Sequence, residues 1–160
     1  MTNAPSVTVT RTIDAPLETV WDVATDVERM PERMSAITEV EVLEGGTPFD
    51  AGTRWRETRT MMRREATEEM EVTAMDRHRR YVVEADNSGV HYVSTFTFTP
   101  VGANRTEVAM TFTGEPTGSQ NILMRLIGKL GLRVVRKSLE RDIDDLATAA
   151  ESAASPVNPS

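Results

Sequence analysis

Glu57 and Glu68 are the side chains whose type and placement could move protons. Each lies in a run of alternating residues, and burial raises a carboxyl pKa toward the range useful for acid or base work near neutral pH. Arg59 follows Glu57 by two positions, so strand parity puts Trp55, Glu57 and Arg59 on one face. Glu68 shares a face with Met70 and Val72 on the next run. An ionised carboxylate in a dry interior is costly unless paired. If Trp55 points inward, the sequence therefore requires a Glu57–Arg59 or Glu68–Arg59 interaction, or a hydrated pocket. On an outward face the same residues make surface pairs worth under about 1 kcal/mol. No catalytic residue is assigned on this basis; Glu57 and Glu68 are the candidates.

Other chemistry finds less to work with. The absence of cysteine excludes disulfides, thiolate metal sites and a cysteine nucleophile. His78 sits in an Arg-rich turn, and His91 lies on the strand face opposite Tyr92 and Phe96. Neither belongs to an H-x-x-x-H spacing or a triad, so no metal and no cofactor is expected. Arg63-Arg64 and Arg77, Arg79 and Arg80 form basic turns without interleaved aromatic residues. With a net charge of -7 around them they read as solvated turns, and no nucleic acid is expected as a partner. Met30, Met34, Met61, Met62, Met70, Met110 and Met124 suit either core filling or an adaptable cavity wall. Trp55, Tyr81 and Tyr92 each present apolar area with a hydrogen-bonding tip.

The elements that must position these groups follow from periodicity. Val7, Val9 and Ile13 alternate with threonines, which predicts a first strand. Pro16 then opens a short helix carrying Leu17, Val20, Trp21, Ala24 and Val27. Asp26 reads as the cap of a second short helix, with Pro31 disfavouring its continuation and Met30 and Met34 near the break. From Ile37 to Phe112 the period falls to two and turn signals recur. The prediction is six strands, over Ser35–Glu44, Thr53–Thr60, Glu65–Met75, Arg79–Asp86, Val90–Thr99 and Arg105–Thr113. From Ser119 to about Ala150 the period returns to that of a helix, with Leu132, Val135, Leu139, Ile143, Leu146 and Ala150 on one stripe. Ile122, Leu123, Leu126, Ile127 and Leu130 form a stripe on nearly the opposite side, and the phase jump falls on Gly128 and Gly131. One bent helix or two separate helices satisfy that jump. The charge order favours one bent helix, its first third covering a cavity mouth.

The expected core is Ile13, Val20, Trp21, Phe96, Phe98, Met110, Phe112, Leu139, Ile143 and Leu146. At 160 residues the chain fits one domain. We expect a disordered N-terminus over 1–6, a single domain over 7–151 and a disordered tail over 152–160. No stretch approaches the ~20 apolar residues of a membrane span and no secretory signal pattern opens the chain, so a cytoplasmic location and no stable membrane insertion are expected.

The order strand, two short helices, six-stranded meander, long helix is the helix-grip arrangement. Ile13-Asp-Ala-Pro-Leu-Glu-Thr-Val-Trp-Asp-Val-Ala-Thr-Asp26 resembles the opening signature of the SRPBCC superfamily, the START-like and polyketide cyclase-like proteins. Ala51-Gly-Thr-Arg-Trp-Arg-Glu-Thr-Arg59 is similar to its third-strand pattern, and Leu139 to Ala150 to its terminal helix. The resemblance spans Val7 to Ala150. It implies an α+β helix-grip fold: a curved seven-stranded antiparallel sheet wrapped around a long C-terminal helix, two short helices after the first strand, and an apolar cavity between sheet and helix. Trp55, Glu57, Arg59, Met70, Tyr81, Tyr92, Ser94, Phe96, Leu123 and Ile127 are the candidate ligand-binding residues of that cavity. Architecture alone does not fix function. The first expectation is binding of a small hydrophobic or amphipathic molecule such as a lipid or polyketide. The alternatives are a cyclase/aromatase-type or lyase enzyme using polar residues of the same cavity, and an interaction module that docks a protein partner without a ligand.

Overall fold

The computed structural model describes residues 6–87, 89–116 and 121–155, without the side chains of residues 116 and 121–130. Strand β1 (Ser6–Ile13) is followed by helix α1 (Leu17–Thr25), a single 3-10 turn and a short helix α2 (Met30–Arg33). Six strands then follow: β2 (Ile37–Glu44), β3 (Arg54–Met61), β4 (Arg64–Asp76), β5 (Arg80–Asn87), β6 (Val90–Pro100) and β7 (Thr106–Pro116). Helix α3 (Asn121–Ala154) closes the chain. All strand pairs are antiparallel, in the order β1-β7-β6-β5-β4-β3-β2, so the last strand returns to pair with the first. Register shifts interrupt β2 against β3 and β4 against β5, and such bulges bend and twist the bulged strand. This is a helix-grip fold, with a curved seven-stranded antiparallel sheet, a long C-terminal helix and two short helices after the first strand.

Local details correct the sequence reading in places. Asp26 makes no capping hydrogen bond; its carboxylate pairs instead with Arg33 at 3.4 Å and Arg29 at 3.8 Å. Pro31 sits in the first turn of α2 and opens that helix rather than ending one, because the first turn has no partner for the missing N–H. Ser6 belongs to β1, and α3 runs three residues into the expected tail, to Ala154. The remaining residues of both expected termini, except Ser155, lie outside the described ones. Helix α3 is one helix through Gly128 and Gly131, not two. The expected covering stripe from Ile122 to Leu130 lies among the undescribed side chains.

The core sits where α3 crosses β1 and α1. Leu139, Ile143, Leu146, Ala147 and Ala150 are buried there with Ile13, Val20, Trp21, Phe98 and Val108. Trp21 packs edge-on to Phe98 at 5.1 Å between ring centroids. Polar ties fix this half of the helix: Ser35 donates from both N and Oγ to Asp145 at 2.8 Å, and Asp14 N donates to Glu151 at 3.2 Å. Phe96 and Phe112, expected in the core, are only half-buried. The space before them is cavity. None of the helices among the described residues is long and apolar enough to cross a membrane.

Candidate functional site

The inner face of the sheet and the stretch 131–146 of α3 line a cavity of about 490 Å³. Strand alternation supplies its floor, since every second residue of β3 to β7 faces α3. From β3 come Trp55, Glu57 and Arg59; from β4, Glu68 and Met70; from β5, Tyr81, Val83 and Ala85; from β6, Tyr92, Ser94 and Phe96; from β7, Met110 and Phe112. Leu132, Val135, Ser138 and Asp142 of α3 form the roof, and Met30, Met34 and Phe49 line one side. The structure thus brings together eight of the sequence-derived candidates: Trp55, Glu57, Arg59, Met70, Tyr81, Tyr92, Ser94 and Phe96. The other two, Leu123 and Ile127, have side chains outside the described ones.

The walls are aromatic and sulfur-rich. Tyr81 stacks on Phe96 at 4.5 Å and meets Phe49 edge-on at 5.0 Å, while Tyr92 stacks on Phe112 at 5.3 Å. Burial pushes the Tyr81 phenol upward, so it remains a neutral hydroxyl. Tyr92 is raised too, by burial and then by the charge of Glu68. Met30, Met34, Met61, Met70 and Met110 also reach the cavity. Met62 does not: it stands 75% exposed at the apex of the β3–β4 hairpin, with φ at 50°. Met124 falls among the undescribed side chains.

One polar cluster interrupts this apolar lining. Glu57, only 5% exposed, accepts from Trp55 Nε1 on one oxygen and from Arg59 Nε on the other, both at 3.2 Å. Arg59 Nη1 donates across to Asp142 Oδ2 at 2.8 Å and to Ser138 Oγ at 3.3 Å. Burial alone would lower the Arg59 pKa, but the attraction of Asp142 and Glu57 outweighs it and holds the guanidinium charged. For Asp142 the balance goes the other way. Burial raises its pKa by more than Arg59 lowers it, and the negative charges of Glu57 and Asp145 add to the rise. Its Oδ1 is buried with no hydrogen-bond partner among the described residues.

Of the pairings the sequence allowed, Glu57–Arg59 forms and Glu68–Arg59 does not. Glu68 lies directly opposite Glu57 in the β3–β4 register and accepts instead from Asn87 Nδ2 at 2.5 Å. With both oxygens of Glu57 already accepting, the geometry presents it as an anchor for Arg59 rather than a free base. Asp142 and Ser138 are the polar residues that sequence reasoning missed. The signal was present: Asp142 lies seven residues from Val135 and four from Leu146, inside the apolar stripe. The histidines stand apart. His78 packs against Trp21 at 5.6 Å, and His91 bridges Asp86 and Glu84 at 2.8 Å to each.

Comparison with known proteins matches this architecture. No curated protein matches the chain in sequence. Among solved structures, a protein of Thermus thermophilus is 27% identical, with a TM-score of 0.77, over 94% of this chain and 100% of its own. A START superfamily protein from Mycobacterium smegmatis is 16% identical, with a TM-score of 0.72, over 93% of this chain and 96% of its own. The Zhui aromatase/cyclase from Streptomyces sp. R1128 is 21% identical, with a TM-score of 0.64, over 95% of this chain and 92% of its own. At the identities of the last two, the likeness is one of fold. The family described as polyketide cyclase / dehydrase and lipid transport matches residues 4–151, nearly the whole chain. The chain belongs to that family.

Proposed function

We propose that the protein binds a small hydrophobic or amphipathic molecule in the cavity between the sheet and α3. One observation carries this reading: an apolar, aromatic-lined space of about 490 Å³ with its polar groups gathered around Glu57, Arg59 and Asp142. That volume falls within the roughly 300–1,000 Å³ of small-molecule sites, which are mostly apolar with a few convergent polar groups. A module that only docked a protein partner would have no use for such a space, since interiors close-pack when nothing occupies them. Organic extraction of the purified protein followed by mass spectrometry should return a small apolar molecule, and the emptied protein should take up Nile red. Ala85→Phe, which fills space at a cavity-lining position, should abolish that uptake. An empty extract together with no dye uptake by the folded protein overturns the reading.

A second reading rests on the Glu57–Arg59–Asp142 cluster. A carrier of hydrocarbon needs no buried ion pairs, whereas an enzyme of the cyclase/aromatase or lyase type uses polar groups to orient a folded substrate and to move protons. Turnover of the extracted molecule, lost in Asp142→Asn while binding persists, would select this reading over simple carriage.

A further inference from the structure

Strands β3 and β4 join through a two-residue turn, Met62-Arg63, with φ at 50° and 64°. Positive φ at both turn positions favours Asn and Gly, so Met and Arg are poor choices for the turn itself. Met62, Arg63 and Arg64 all stand exposed, and Glu65 offsets only one of the two arginines. Of the large apolar side chains exposed among the described residues, Met61 and Leu132 line the cavity and Met62 follows Met61 into the turn; only Val101 lies elsewhere. Helix α3 divides by charge. Its stretch 121–139 holds Arg125, Lys129, Arg133, Arg136 and Lys137 and no acidic residue, in a chain of net charge -7. The stretch 140–154 holds Glu140, Asp142, Asp144, Asp145 and Glu151, with Arg141 alone in opposition. The acids are tied into the fold, Asp144 to Arg11, Asp145 to Ser35 and Glu151 to the Asp14 N–H. Arg63, Arg64, Arg133 and Lys137 have no ion-pair partner among the described residues.

We propose that this end of the molecule, the β3–β4 turn together with the basic half of α3, docks on an anionic membrane surface. The occupant follows from the chemistry of the patch. Each cation near an anionic bilayer shifts the partition on the order of fivefold, and methionine and leucine supply flexible apolar chains for the headgroup layer. Apolar side chains exposed among cations fit that surface better than a nucleic acid. Phosphates would answer the arginines alone, and neither 61–65 nor 121–139 holds an aromatic residue on which a base could stack. The net charge of -7 repels the same membrane from the rest of the surface, which orients the molecule with this end down and keeps the docking peripheral and salt-dependent. Met61 and Leu132 are both exposed and cavity-lining, so the docked face is also where the cavity opens. Docking stands apart from the cavity-binding reading above; only the passage of a ligand between cavity and bilayer rests on it.

The test is flotation of the full chain with vesicles of phosphatidylcholine alone and of equal parts phosphatidylcholine and phosphatidylglycerol, at low and high ionic strength. The protein is expected to float with the phosphatidylglycerol vesicles at low salt, to be released at high salt, and to bind phosphatidylcholine alone weakly. Arg63→Glu with Arg64→Glu should lower the partition onto the anionic vesicles on the order of tenfold or more. Arg77→Glu with Arg79→Glu makes the same change of net charge on exposed residues of the β4–β5 turn, at the opposite end of the sheet, and should lower it far less. Binding to both vesicle types alike, binding to neither, or equal losses from the two turns overturns the proposal. So does retardation of duplex DNA, or concentration-dependent dimerisation, in a protein that ignores the vesicles. Should the Arg63, Arg64 variant fail to fold, Met62→Ser takes its place, with a severalfold loss expected and an unchanged partition overturning the proposal. Nile red uptake is read separately: uptake without docking removes this proposal and leaves the cavity reading, and docking without uptake does the reverse.

Discussion

The two faces of β3 carry the same chemistry in different surroundings. On the outer face, Arg56 bridges Glu41 at 2.5 Å and Glu69 at 3.2 Å, and Arg54 reaches Glu69 at 3.3 Å and Glu44 at 3.8 Å. On the inner face, Arg59 bridges Glu57 and Asp142 at 3.2 and 2.8 Å. By distance alone the networks are alike. The outer side chains are 37–64% exposed, so water and salt already satisfy them. The inner carboxylates are 5% and 11% exposed and depend on Arg59 for compensation. Burial, rather than the number of pairs, decides which network the fold depends on.

The largest expected effect separates the two faces directly. Arg59→Met leaves Glu57 and Asp142 buried without their cation, and should lower stability by ~3–5 kcal/mol in urea unfolding near neutral pH. Adding Asp142→Asn should recover part of that loss, because an unpaired charge goes with it. A loss below ~1 kcal/mol in Arg59→Met would put the inner pair on the same footing as a surface pair and break the comparison.

The second prediction concerns the pH dependence of the inner face. The folded-state pKa of Asp142 is raised above its ordinary value of 3.8, so the native state holds this proton more tightly than the unfolded chain does. Its contribution to stability is therefore fully present below 3.8 and lost as pH rises through the raised value. Asp142→Asn removes that loss. The stability of the variant relative to wild type should grow as pH climbs through this window, measured by urea midpoints across a pH series. A difference that stays flat with pH, or shrinks, would show that the Arg59 attraction outweighs burial.

Much of this was legible in the sequence, and the limits are physical. Parity is local, so alternation in Arg54–Met61 was enough to place Trp55, Glu57 and Arg59 on one face and to require a partner for Glu57. The order of elements was legible for the same reason. Pairing across elements is not local: Asp142 lies 83 residues from Arg59, and only the assembled fold shows that they meet. A carboxylate inside the stripe of Val135, Leu139 and Leu146 was visible, but a reading that follows only apolar residues passes over it. Phe96 and Phe112 show the converse limit. Alternation says that a residue faces inward, not whether packed core or open cavity lies in front of it.

The outer face supplies the smaller effects. Arg56→Ala removes contacts to both Glu41 and Glu69, yet its urea midpoint should stay within the scatter of wild-type measurements, since exposed pairs compete with water. A midpoint shift as large as that of Arg59→Met would overturn the distinction between the faces.

The smallest effect is a titration on that same outer face. His91 is held between Asp86 and Glu84, and the hydrogen bond to Asp86, followed by that to Glu84, raises its pKa above the ordinary 6.5. A raised histidine pKa stabilises the native state fully below 6.5, and the contribution is lost as pH rises through the raised value. Because the ring is 30% exposed, added salt should weaken the attraction and move the pKa back toward 6.5. Asp142, enclosed by the fold, should respond far less to the same salt. Titration of the His91 ring proton signals by NMR at low and high ionic strength tests this, with Asp86→Asn expected to lower the pKa more than Glu84→Gln. A His91 pKa at or below 6.5 in low salt would remove the ion-pair account of this triad, and a shift unmoved by salt would mean that the outer face is shielded like the inner one.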